Sequence, residues 1–308
     1  MHPRACSRIT AAGRGLLRDK NRLARKRGLV RGRRHVRHTW LALAVLSLCF
    51  RGSVRGDDAV DRGLSSAERL TARLKKLQGK LELATGPNVT KKSWESARTS
   101  AHREMRDAIT EFIKFELNSQ HVSAKQLELD LKRSISASIS NSWADQPAWV
   151  LERDASDELT LVVAFVLDEA AGGAMSVIQV YQATAGQFML ASQGGREMND
   201  CDMHIVRVMP PDSGEIRLFA YGNIFGANQA VSKGVLYAIR DSRLIALWRT
   251  RDYLGLSAKA KEGRLTLEYQ DPDLFYKRTP PDAYRDVYIQ TANGAQRITH
   301  TPLPAGRQ

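Results

Sequence analysis

The sequence has few of the features from which a function is usually recognised. Only three cysteines occur in 308 residues, and two of them, Cys6 and Cys49, lie before residue 57. Because Cys201 then has no partner in the body of the chain, an internal disulfide is excluded there and the fold depends on its hydrophobic core. The chain also has a single long apolar run, which excludes a polytopic membrane protein.

Sequence motifs for catalysis and metal binding are absent from the body of the chain. Neither a Gly-x-Ser-x-Gly turn nor a His-Glu-x-x-His sequence occurs there, although these would mark a nucleophilic serine or a zinc site. Asp202 and His204 would share one face of a strand, but further metal ligands would have to come from elsewhere. Asp168 and Glu169 are adjacent, so their side chains point apart. We therefore predict no catalytic residue, no metal site and no cofactor.

The positive charge of the chain is confined to its beginning. The formal net charge is +14, which by itself would suggest a nucleic-acid partner. Residues 1–56 contain 15 Lys/Arg and one acid, Asp19, so this segment accounts for the whole excess. The remaining chain is neutral and offers no basic stripe to a phosphate backbone. Nucleic acid is therefore not an expected partner.

Residues 1–56 have the layout of a basic leader with a secretory signal peptide. The apolar run Trp40–Phe50 is shorter than the roughly 20 residues of a membrane span and fits a signal core of about 7–15 residues. Ser53 and Gly56 predict cleavage after Gly56, which would place a bacterial protein in the periplasm or outside the cell. The alternative is an uncleaved anchor at Trp40–Phe50. The long basic stretch before the run predicts a true translation start near Leu29 or Val30.

Residues 57–145 are predicted to form a helical hairpin or small bundle. Ser65 and Glu68 have the spacing of a capping box, and Ser123 can begin a third helix. Because the leucine stripe covers only two heptads, we expect it to pack on the rest of this chain and not on a coiled-coil partner. The apolar stripes of the first two helices are Leu70, Leu74, Leu77, Leu81 and Trp94, Ala97, Ala101, Met105, Ala108, Phe112, Phe115; that of the third is Leu127, Leu131, Ile135, Ile139.

Residues 146–308 are predicted to form an antiparallel β-repeat domain. Short alternating runs are separated by turn residues, with tight hairpins expected around Ala185-Gly186, Asp241-Ser242 and Asn293-Gly294. The runs beginning Glu158-Leu159, Glu215-Ile216 and Arg264-Leu265 recur about every 50 residues, which resembles the period of four-stranded propeller blades. Three blades would make an incomplete β-propeller. An ordinary β-sandwich or meander remains the alternative.

Aromatic residues supply the only candidate binding site in the sequence. Tyr181, Tyr237 and Tyr288 recur at one repeat position, where we predict a core role because tyrosine suits a half-buried strand. Other aromatic residues lie at predicted strand ends or in loops and could line a ligand-binding rim: Trp248, Tyr253, Phe275, Tyr276 and Tyr284.

The sequence therefore predicts an α+β protein: an N-terminal helical hairpin or small bundle, then an all-β antiparallel repeat region. We expect an exported protein with a non-catalytic binding or scaffolding role for an unknown protein or small-molecule partner. The alternative is a secreted hydrolase whose acid and base come from separate β-repeats. A pocket holding paired carboxylates or Asp202 and His204 would favour the enzyme, and a flat aromatic face would favour binding. An open array also exposes a strand edge, which allows a homodimer.

Overall fold

A computed structural model describes residues 63–84, 89–139, 146–155, 158–169, 173–209, 215–224, 231–279 and 282–304. The basic leader, its cleavage site and the proposed start near Val30 lie outside these residues. Within them, no helix is both long enough and apolar enough to cross a membrane.

Three helices form the first part of the described chain: α1 Ser66–Leu83, α2 Lys91–Phe115 and α3 Ala124–Ser138. The predicted capping box of α1 is confirmed, since the Ser65 hydroxyl accepts from the Glu68 amide and the Glu68 carboxylate accepts from the Ser65 amide at 2.7 Å. The hydroxyls of Thr90 and Ser123 cap α2 and α3 by accepting from the backbone amides of Ser93 and Gln126. The helix α2 continues into a π-helical turn, Glu116–Gln120.

The predicted apolar stripes of α1 and α3 are buried without exception, which confirms the helical periodicity. All four leucines of α1 are at most 5% exposed, and the four aliphatic residues of the third stripe at most 3%. In α2 the stripe ends earlier than predicted. Phe115 is 40% exposed. In the last turn of the helix the buried residues are Phe112 and Ile113, and Phe115 lies outside the buried face.

The rest of the described chain is mostly β-strand, with a 3₁₀ turn at Arg196–Met198 after the fourth strand and a short helix, α4 Pro272–Lys277, between the tenth and eleventh strands. The strands are β1 Ala148–Ala155, β2 Glu158–Glu169, β3 Gly173–Thr184, β4 Gln187–Gly194, β5 His204–Val208, β6 Ile216–Asn223, β7 Val231–Arg240, β8 Arg243–Arg249, β9 Tyr253–Lys261, β10 Arg264–Gln270, β11 Ala283–Thr291 and β12 Gly294–Pro302.

These strands form three consecutive four-stranded antiparallel meanders, which we call the first (β1–β4), second (β5–β8) and third (β9–β12) β units. The first unit is a separate sheet. The second and third belong to one eight-stranded sheet, because β7 and β9 share two residue pairs, Val231 with Leu254 and Ser232 with Tyr253. The antiparallel repeat region predicted from the sequence is thus present, in the form of an open array.

The repeats seen in the sequence correspond to equivalent strands. The three Leu- or Ile-containing runs lie in the second strand of each unit, and Tyr181, Tyr237 and Tyr288 lie in the third. A β-bulge in the fourth strand faces each of these tyrosines. The predicted turns at 185–186 and 241–242 have positive φ at both positions, as a two-residue hairpin requires. The third turn is shifted by one residue: it is formed by 292–293, and Gly294 already opens β12.

The helices and β units are stacked in layers that share three hydrophobic clusters. Helices α1–α3 pack on one face of the first unit, the other face of that unit packs on the second, and the second packs on the third. In β2, Phe165 faces the helices and Val166 faces the second unit, which explains the unbroken apolar run of this strand. The division into a helical segment, 57–145, and a β domain, 146–308, stays a prediction, since the two share a core.

Candidate functional site

A buried carboxylate lies at the centre of a polar cluster on the third β unit. Asp286 in β11 is 0% exposed. Its Oδ2 accepts from the hydroxyls of Tyr269 at 2.9 Å and Tyr288 at 3.1 Å, and from Arg297 at 3.3 Å. Its Oδ1 lies 2.6 Å from Nδ1 of His300. Because an ionised carboxylate only accepts hydrogen bonds, Nδ1 of His300 is the donor in this pair.

Strand register brings these residues together from three strands. Asp286 stands opposite His300 in the β11–β12 ladder, and Tyr288 stands opposite Arg297. Asp286 and Tyr288 point to the same side of the sheet because they are two residues apart. Burial, together with the neighbouring Tyr253 and the charge of Asp286, raises the pKa of both Tyr269 and Tyr288 above its usual range. Both tyrosines of the cluster are therefore neutral hydrogen-bond donors.

Three of the five predicted rim residues lie around this cluster. Trp248 packs on Tyr288 with ring centroids 4.9 Å apart. Tyr284 stacks on His300 with the ring centroids 4.5 Å apart and the ring planes inclined by 13°. Tyr253 stacks on Tyr269 at 3.8 Å, but it is only 5% exposed and lies behind the surface.

We call the surface formed by Trp248, Tyr284, Arg297 and His300 the aromatic face. The side chains of Arg297 and His300 are 51% and 43% exposed, so both are accessible to solvent.

The remaining two rim residues form a separate pair. Phe275 and Tyr276 lie in α4 and contact each other edge to face, with centroids 5.7 Å apart. They are 38% and 54% exposed. The structure thus divides the predicted rim into the aromatic face, a buried support and an exposed pair on α4.

The recurring tyrosines are core residues, as predicted. Tyr181, Tyr237 and Tyr288 are 0%, 2% and 6% exposed. Each hydroxyl has a partner, since Tyr181 donates to Gln179 at 2.7 Å and Tyr237 donates to Glu197 at 3.0 Å, while Tyr288 donates to Asp286. These tyrosines anchor the third strand of each unit.

The pair Asp202 and His204 is used within the fold. Nε2 of His204 is 3.8 Å from the Asp202 carboxylate, so the two side chains share a face as expected. Asp202 also accepts from the backbone amide and the side-chain amide of Asn223, which ties β5 to the end of β6. In the part of the chain that the structure describes, no three metal-ligating side chains come together. Cys201 is buried beside them, and burial raises the pKa of its thiol to about 12.

Sequence reasoning did not find Asp286, Arg297 or His300, although one signal was present. The residue two positions before a recurring tyrosine faces the same side of the strand and is therefore a core position. It is polar in two of the three repeats, Gln179 and Asp286, and both are 0% exposed. A polar residue at a repeated core position indicates a buried hydrogen-bonding cluster.

Comparisons with known proteins leave the chain without a family. No protein-family model matches it, and no curated protein does. Among solved structures, it is similar to the α-L-arabinofuranosidase Arb93A from Fusarium graminearum, in complex with an iminosugar inhibitor, at 13% identity over 50% of each chain and a TM-score of 0.25. The chain thus spans about half the length of that enzyme. A likeness at this TM-score supports no assignment of fold or activity.

Proposed function

We propose that this chain is an exported protein with a non-catalytic binding role, and that its ligand contacts the aromatic face. The observation that carries the proposal is that the protein itself occupies the Asp286 carboxylate. Four donors reach its two oxygens, and an ionised carboxylate offers about four acceptor positions. Asp286 is therefore committed to orienting Arg297 and His300 and is not free to exchange a proton with a substrate.

The chemistry of the aromatic face defines the class of ligand. Trp248 and Tyr284 offer ring surfaces for stacking, and Arg297 offers donors for an acidic group, while His300 supports the Tyr284 ring by stacking on it. Because the rings are held by contacts with Tyr288 and with His300, little side-chain entropy is lost on binding. We expect a ligand that combines a negative charge with a ring that can stack on an aromatic side chain, such as an acidic oligosaccharide, whose sugar rings stack through one C–H face.

The binding proposal is tested by titrating the full chain with acidic and neutral oligosaccharides while recording tryptophan fluorescence. We expect saturable binding of an acidic member and an affinity loss of about tenfold or more in the double variant Tyr284→Ala/His300→Ala. Phe115→Ala is the matched control, since it removes an exposed ring from α2. Equal affinity in the double variant, or no saturable binding by the wild type, would contradict the proposal.

A secreted hydrolase is the second candidate, and the Asp286–His300 pair is the observation that favours it. Donation from Nδ1 at 2.6 Å leaves Nε2 as the ring nitrogen that could accept a proton from water. Hydrolysis of nitrophenyl glycosides or esters that is lost in His300→Gln, with the thermal unfolding temperature unchanged, would establish this function. Activity that persists in His300→Gln, or no activity at all, would exclude His300 as the base.

Export itself is tested at the N-terminus of the native protein. We expect a mature chain that begins at Asp57, from a precursor translated from near Val30. Sequencing that recovers Trp40–Phe50 in the mature chain would favour the anchor, and peptides from residues 4–25 would refute the late start.

A further inference from the structure

A cleft of about 540 Å³ lies between helix α2 and the first β unit, away from the residues of the aromatic face. Residues of α2 form one wall. The other wall comes from β3, the end of β4 and the connection that follows β4. Cavities of this size, roughly 300–1,000 Å³, are the usual sites of small-molecule ligands, and they often lie where two structural layers meet.

The cleft exists because β4 is shorter than its neighbour. Pairing of β3 with β4 ends at Ile178 and Gly194, so the first half of β3 has no strand on that side. The connection after β4 covers this edge, and the side chain of Asn199 accepts from the Ser176 amide at 3.0 Å. At Gly195 the backbone of the connection passes close to the backbone of β3. Gly195 has a φ of +102°, and a Cβ there would lie 3.0 Å from the Ile178 amide nitrogen. The wall beneath α2 is thus held by backbone contacts.

Three arginines line the cleft: Arg103 and Arg106 from α2, and Arg196 from the connection. Arg106 pairs at 2.8 Å with Asp107, which is outside the lining and 51% exposed. Among the described residues, neither Arg103 nor Arg196 forms an ion pair with a carboxylate. Two guanidinium groups on opposite walls are therefore available to a bound anion.

The one acidic residue in the lining does not neutralise these arginines. Glu197 accepts from the hydroxyl of Tyr237 at 3.0 Å and from Arg249 at 3.2 Å. Both partners belong to the second β unit, so the charge of Glu197 is already compensated on the far side of the connection. The cleft keeps a net positive charge.

We propose that this cleft binds a small molecule carrying a phosphate or sulfate group, held between Arg103 and Arg196. Guanidinium groups bind such oxyanions through paired N–H donors, and three arginines line this one cleft. The side chains of Thr99 and Gln193 also line the cleft and supply neutral hydrogen-bonding groups for the rest of the molecule. This site shares no residue with the aromatic face, so the test of either binding proposal can fail without affecting the other.

The test uses the full chain with inorganic phosphate, pyrophosphate and sulfate as probes, measured by calorimetry at constant ionic strength. We expect saturable binding that weakens with added salt, because the contacts are charge pairs near the surface. The double variant Arg103→Gln/Arg196→Gln should lose about tenfold or more in affinity. Arg264→Gln, an exposed arginine of β10, is the control and should bind as the wild type does.

Arg264→Gln separates a specific site from general attraction to positive charge, and a further variant tests the part played by Arg106. Asp107→Asn removes the carboxylate that competes for Arg106, so the probes should bind more tightly. The thermal unfolding temperature of each variant establishes that it is folded. The proposal is overturned if the wild type shows no saturable binding of any probe. It is equally overturned if Arg264→Gln weakens binding as much as the double variant.

Discussion

The Glu215→Gln substitution should remove the charge that holds the second and third β units together. The Glu215 carboxylate accepts from Nε of Arg217 at 2.6 Å and also from Arg240. Arg217 donates in turn to the carbonyl of Thr291 at 2.7 Å, and Arg240 donates to the carbonyl of Ala292. This network connects β6 and β7 of the second unit to the β11–β12 turn of the third.

The expected loss follows from the burial of Arg217 and Glu215. The side chain of Arg217 is 5% exposed and that of Glu215 is 13% exposed. Removing one partner of such a buried pair costs about 3–5 kcal/mol, because the other charge stays desolvated. Arg240 is 34% exposed and would be hydrated again, so its pair contributes only about 0–1 kcal/mol. Glutamine keeps one acceptor for Arg217, and we therefore expect a loss of about 3 kcal/mol.

Urea unfolding of the full chain, followed by tryptophan fluorescence, measures this loss. Urea is preferred because guanidinium ions would screen the network. Arg240→Gln is the matched control and should lose no more than about 1 kcal/mol. A Glu215→Gln protein within about 0.5 kcal/mol of the wild type at neutral pH would refute the reasoning, since surface substitutions change stability by that much.

The pH dependence gives a second check on the same network. Burial opposes ionisation of Glu215, but its hydrogen bonds to Arg240 and Arg217 outweigh this effect and lower the pKa of the carboxyl. A lowered pKa contributes stability that is present above the unfolded value of about 4.3 and is lost as the pH falls through the folded value. The difference between wild type and Glu215→Gln should therefore shrink in acid. A difference independent of pH would contradict the charge argument.

Further outcomes follow from other contacts. Gly222→Ala would place a Cβ 2.2 Å from the carbonyl oxygen of Asp202, so we expect urea unfolding to show a loss of about 1–3 kcal/mol. Gly79→Ala, in an open position of α1, should instead stabilise by about 0.5–1 kcal/mol. Burial and the charge of Glu197 raise the pKa of Tyr237. Its contribution to the free energy of unfolding should therefore be fully present below the unfolded pKa of about 10 and should be lost as the pH rises above that value. The free energy of unfolding should fall less steeply with pH in Tyr237→Phe. Light scattering should detect the predicted homodimer, and a monomer at micromolar concentration would contradict it.

Two strands show where local patterns stopped being sufficient. The repeat of four strands per unit implies the strands β1 and β9, but no local sequence pattern identifies either of them individually. The sequence of β9 alternates alanine and lysine, Ala258-Lys259-Ala260-Lys261, which has little intrinsic strand preference. It forms a strand because β10 pairs with it along most of its length, with Leu265 opposite Ala260. Tertiary pairing therefore overrides weak propensity at this position.

The sequence by itself determined the capping box of α1, the apolar stripes of the helices, the alternation of the strands, the turns at 185–186 and 241–242 and the recurring tyrosines. The tyrosines recur at the period of the repeat and the other features depend on residues close together in the chain, so patterns along the sequence are enough to detect them. The candidate sites depend on register and layer packing. Asp286 meets Arg297 and His300 only because β11 and β12 pair in one register, and Arg103 and Arg196 line one cleft only because α2 lies beside the short end of β4. Contacts between distant segments leave no periodic signal in the chain, so only the tertiary structure could decide them.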